Sequence, residues 1–193
     1  MKISFYLITT FLIILGCDPS TTLGNKQKQE HEQSTPDNVT DSILNQSRWS
    51  TNPNNLLTLS DAEKILGEQS SLTDSSSTIK EDVLTYLCAY TANSKDQKTG
   101  KTGAIYFLFE QYDEISSAQK KYSSIKVANE NHEGIKIIND IGDEAYFHTD
   151  GQNFYFIMVR KDEKVFNMKV NKITSKTSLD EFYLIAKKIT ADL

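Results

Sequence analysis

Hydrophobic and polar positions divide the chain into unlike stretches. Residues 3–15, ISFYLITTFLIIL, are almost continuously apolar, broken only by Ser4, Thr9 and Thr10. Residues 18–55 hold Leu23, Val39, Ile43, Leu44 and Trp49 as their strongly apolar side chains, together with Pro19, Pro36 and Pro53. Such a stretch buries too little surface to offset its ordering entropy and reads as a disordered tether. From Leu56 onward apolar residues recur at helix and strand periods, which predicts one globular domain over 56–193.

Within that domain, Ser60-Asp61-Ala62-Glu63 has capping-box spacing with Ser60 as N-cap. Ala62, Ile65 and Leu66 form the buried stripe, and Gly67 suits the left-handed stop. Residues 68–78 are serine-rich and read as a polar loop. Residues 83–91 (VLTYLCAYT) predict a strand, 95–103 a turn, and 104–112 (AIYFLFEQY) a strand apolar on both faces. That last pattern predicts a central strand covered twice.

Asp113 can cap a following helix whose stripe is Ile115, Ala118, Tyr122 and Ile125. Residues 135–138 and 145–149 predict strands. Asp150-Gly151 signals a hairpin into the strand 154–160. Residues 165–173 alternate Phe166, Met168 and Val170 with Asn167, Lys169 and Asn171, so this last strand is wet on one face. Ser178 to Glu181 starts a final helix, with Phe182, Ile185, Ala186, Ile189 and Leu193 as its stripe. Hairpin-linked strands with covering helices predict an α+β domain: a mainly antiparallel sheet of about five to six strands flanked by three helices.

The apolar run at the N-terminus follows Lys2 and spans roughly 20 Å as a helix, short of a ~30 Å hydrocarbon core. Positive start, short apolar core and small terminal residue are those of a secretory leader. Its end, Ile14-Leu15-Gly16-Cys17, resembles the lipobox of bacterial lipoproteins, with Leu15 where that family often has a smaller residue. The resemblance implies removal of residues 1–16, lipidation of Cys17, and a domain held on the bilayer through the acylated Cys17. Residues 17–55 then form the tether, which as a flexible coil spans roughly 35 Å. Asp18 resembles an inner-membrane retention signal of enterobacterial lipoproteins.

Residues 56–193 resemble several small envelope lipoproteins of uncharacterised function. The motifs are the helix at 59–67 (LSDAEKILG), the Cys/Tyr strand around 88–90 and the turn at 141–147 (IGDEAYF). Some of those families have PsbP-like folds. The resemblance implies an envelope domain facing the periplasm or the exterior, and it transfers no catalytic residue.

Charge and chemistry narrow the function further. The net charge of −5, without a basic stripe, argues against nucleic acid as a partner. The sequence has 2 cysteines, too few for a disulfide scaffold or a four-cysteine zinc site. After lipidation Cys88 is the remaining thiol; flanked by Tyr86 and Tyr90, it reads as a buried small hydrophobe. His132 and His148 are the domain histidines. His148 with Cys88 as a catalytic pair, or with Asp143 and Glu144 as a metal site, lacks the usual ligand spacings.

Ile141-Gly142-Asp143-Glu144-Ala145 reads as a strand entry rather than a cation loop, because one acidic pair falls short of a calcium shell. Gly100-Lys101-Thr102-Gly103 lacks the preceding glycine and following helix of a phosphate loop. No metal site, cofactor or catalytic residue is expected. The many aromatics leave room for a partly uncovered groove. The leading expectation is therefore a non-catalytic, membrane-tethered envelope module that binds an envelope protein or small ligand. The alternative is a thiol-dependent enzyme or redox factor using Cys88 with a histidine.

Overall fold

A computed structural model describes Trp49 and residues 51–193. The leader, Cys17 and the tether up to residue 48 lie outside the described residues. Local signals set the helix ends. Helix α1 (Leu59–Leu66) is capped by Thr58, whose hydroxyl accepts the Asp61 N–H while the Asp61 carboxylate accepts the Thr58 N–H at 3.0 Å. The capping pair thus lies two positions earlier than Ser60–Glu63. Gly67 stops the helix at φ 73°, where an added Cβ would stand 2.2 Å from the Lys176 carbonyl oxygen. Helix α2 (Ile115–Asn129) starts at Glu114, without a side-chain cap bond, rather than at Asp113. Ser178 caps α3 (Leu179–Ala191), accepting the Glu181 N–H.

The strands form a 7-stranded sheet in the order β1-β2-β3-β7-β6-β5-β4, every neighbouring pair antiparallel. The first meander is β1 (Ser70–Lys80), β2 (Val83–Ala92) and β3 (Ala104–Gln111). After α2, the second meander is β4 (Ile135–Ile138), β5 (Glu144–Thr149), β6 (Phe154–Lys161) and β7 (Lys164–Asn171), which brings β7 against β3.

Register decides which side chains share a face. Cys88 lies opposite Phe107, Phe107 opposite Met168, Met168 opposite Ile157, and Ile157 opposite Phe147. This row belongs to the main core, which α1 and α3 close with Ile65, Phe182 and Ile185, joined by Leu57 just before α1. Lys188 of α3 donates to Asp61 of α1 at 2.8 Å, tying the two covering helices together. On the opposite face α2 packs Ala118 and Tyr122 onto Tyr146, Met158 and Val165.

The structure corrects the strand count and two local expectations. Residues 68–78 are mostly strand, not loop: β1 pairs with β2 along its whole length, with a bulge between Leu72 and Asp74. As an edge strand exposed at nearly every position, it needs no apolar alternation, so its serines masked it. Its turn, Glu81 and Asp82 at φ 50° and 62°, is a left-handed pair without the usual glycine. Strand β3 is central but covered once, because α2 lies over β6 and β7 and leaves Tyr106 44% exposed. Ordered packing also reaches back before residue 56: Pro53 is buried, and Trp49 lies against the main core.

Candidate functional site

The outer sheet face is only partly roofed by α2, and the gap is a cleft of about 460 Å³ beside the helix C-terminus. Register builds its floor. Lys169 lies opposite Phe156, and Phe156 opposite His148, so a cation, a phenyl ring and an imidazole stand side by side on β7, β6 and β5. The next row supplies Asn167, Met158 and Tyr146. Ile125, Asn129 and His132 form the overhanging wall.

Backbone bonds hold this wall in place. The His132 N–H donates to the Asn129 carbonyl at 2.9 Å, and the Thr149 N–H donates to the Gly134 carbonyl at 3.3 Å. Those contacts lay the end of α2 beside β5, so His132 and His148 stack with ring centroids 5.7 Å apart and planes at 28°. The turn after β5 is organised by Asp150, whose carboxylate accepts the N–H groups of Asn153 and Gln152 at 2.7 and 3.0 Å. Those bonds, from Asn153 above all, hold its carboxyl far below the usual carboxylate range. The turn delivers Phe154, which meets His148 edge-on at 4.9 Å and carries the Lys169 ammonium 5.7 Å from its ring centroid. No Asp or Glu is among the residues lining the cleft.

Cys88 lies elsewhere. It is fully buried on the inner face, and burial pushes its thiol up to about 11. His148 faces the other side of the sheet and is four strand spacings away, roughly 19 Å. The structure therefore does not bring the proposed Cys88–histidine pair together. It does unite His132 with His148, which are distant in sequence and paired only because α2 returns its end to β5.

Asp143 and Glu144 do not turn toward His148. They hold Arg160, with Nη1 to Asp143 at 2.9 Å and Nε to Glu144 at 2.7 Å. Asp143 also accepts the Asp162 N–H at 2.8 Å, which is the main reason its carboxyl is held low. Gly142, at φ 64°, lets the chain pass Arg160, since a Cβ there would stand 2.6 Å from the Arg160 carbonyl oxygen. The 141–145 run is thus a clamp across the β5 start and the β6–β7 turn. The 100–103 run lies in the β2–β3 connection, where Lys101 Nζ donates to the Gln152 carbonyl at 3.1 Å. Among the described residues, no three His, Cys, Asp or Glu side chains gather as a metal site.

Comparison of the chain with protein-family models, curated proteins and solved structures gave no match. The class is defined by the structure itself: an α+β domain on a single antiparallel sheet, with one face closed by two helices and the other left with an open aromatic cleft.

Proposed function

We propose that the protein is a lipid-anchored cell-envelope protein whose domain binds a small ligand without transforming it. The leader ending in Gly16-Cys17 supports the anchor, and the composition of residues 18–48 supports a tether that holds the domain off the bilayer. The observation that carries the binding reading is the cleft. It is concave, floored by aromatic rings, and lined by polar side chains that the fold does not consume: among the described residues His132, His148 and Asn167 make no side-chain hydrogen bond.

Two experiments test this. Cys17→Ser should abolish acyl labelling and release the chain from membranes; a variant that stays membrane-bound with residues 1–16 attached contradicts the anchor. For binding, Asn167→Trp fills the cleft from its floor. A small-molecule extract of the producing cells should raise the melting temperature of the parent and leave that of Asn167→Trp unchanged. A ligand at about 100 times its Kd adds roughly 2.7 kcal/mol, a shift of several degrees. Equal shifts in both proteins place binding elsewhere.

A further inference from the structure

The charge pattern of the cleft selects among ligands. Lys169 is exposed on β7 beside the Phe154 ring and, among the described residues, forms no ion pair. The other polar lining groups are the Asn167 amide, the Asn129 amide, which already donates to the Ile125 carbonyl at 2.6 Å, and the imidazoles of His132 and His148. A lone permanent cation beside amide and imidazole groups, with no carboxylate in the lining, fits a single negative charge.

The position of that charge also follows. Asn129 is the last residue of α2, so the negative end of the helix dipole faces the cleft on the side of His132 and disfavours an anion there. Lys169 stands two strands away from His148, about 10 Å. An anionic group therefore belongs beside Lys169 and Asn167, with the rest of the ligand reaching over Phe156 toward the stacked imidazoles. Half-buried Phe156 offers its ring to a flat body, and the buried Tyr146 ring backs it with centroids 5.8 Å apart.

Resting on the reading of this cleft as a ligand site, we propose that it recognises a small organic monoanion: a carboxylate carried on a flat aromatic body. Lys169 pairs with the carboxylate, and Phe154 and Phe156 pack against the rings.

The three histidines of the chain, His31, His132 and His148, make the test specific. The full chain in detergent, labelled with ¹³C-histidine, is titrated with 2-naphthoate, its neutral amide 2-naphthamide, and the cation 2-naphthylmethylammonium. The proposal expects saturable shifts of the His132 and His148 signals with 2-naphthoate, unchanged His31, and affinity for the amide and cation weaker by about tenfold or more. Lys169→Met should lose that preference while still binding the amide. Because Lys169 is exposed, the variant should melt as the parent does. If the amide or cation binds as well as the carboxylate, or Lys169→Met leaves 2-naphthoate binding intact, the anion assignment falls and the cleft remains a binding site. If none of the probes shifts His132 and His148 up to millimolar concentration, or His31 shifts with them, the aromatic-monoanion proposal falls, while the cleft reading stands or falls on the Asn167→Trp comparison.

Discussion

The Cys88 thiol is sealed between Tyr86 and Tyr90 on the inner face of β2, and there desolvation works against the thiolate a nucleophile needs. Cys88→Ala should cost about 1–2 kcal/mol through lost packing, measured by denaturant unfolding, and leave ligand binding at the outer face unchanged. Rapid maleimide labelling of the native protein, or loss of function in a stable Cys88→Ala chain, contradicts this. Gly142 is the other residue whose identity the fold dictates. Its positive φ and the close Arg160 carbonyl make Gly142→Ala both strained and crowded, at a cost of about 2–4 kcal/mol. A variant that unfolds at the parent's denaturant midpoint would show that the clamp around Arg160 yields easily.

At the level of elements, turns and connections carry the ionisable groups that set acid stability. In the β2–β3 connection the Asp96 carboxylate accepts the Thr99 hydroxyl at 2.6 Å and the Ser175 N–H at 2.9 Å, joining that loop to the segment before α3. These bonds, Thr99 first, hold the Asp96 carboxyl well below its ordinary range. A depressed carboxyl contributes fully above the pKa of the unfolded chain, about 4, and its contribution is lost as pH falls below that. Thermal melts should therefore show the parent above Asp96→Asn near neutrality, with the gap closing as pH drops from about 4 toward 2. A gap that stays constant over that range means the Asp96 charge is irrelevant to stability.

The same level shows what sequence patterning carries. Strands β2, β3, β6 and β7 announce themselves because they bury residues such as Phe107, Ile157 and Phe166 at period two. Strand β1 buries only Ser70, so no alternation marks it, and its pairing with β2 is a backbone matter. Strand β3 looks doubly covered because Tyr106 and Leu108 are apolar, yet periodicity cannot say that α2 settles over the next two strands, β7 and β6. For the same reason the cleft was legible only as surplus aromatics. Its pairing of His132 with His148 depends on where a helix ends over the sheet.

At the scale of the molecule, the two faces of one sheet divide the work. The inner face, closed by α1 and α3, contains the main core and hides the thiol. The outer face spends one helix on a smaller cluster of Tyr122, Tyr146, Met158 and Val165, and leaves its far end open. Under the proposed lipid anchor, a domain built this way would present the open face to its surroundings while the anchor fixed its location.

The central claim is that this open face is where a ligand binds. Hydrogen exchange of the full chain, with and without the small-molecule extract that raises its melting temperature, tests it most directly. The account predicts added protection in residues 125–134, at the end of α2, and in 146–158 and 167–169 across the cleft floor, with α1 and α3 unchanged. Protection confined to α1, α3 or the β1 edge, with the cleft segments exchanging as before, would contradict it.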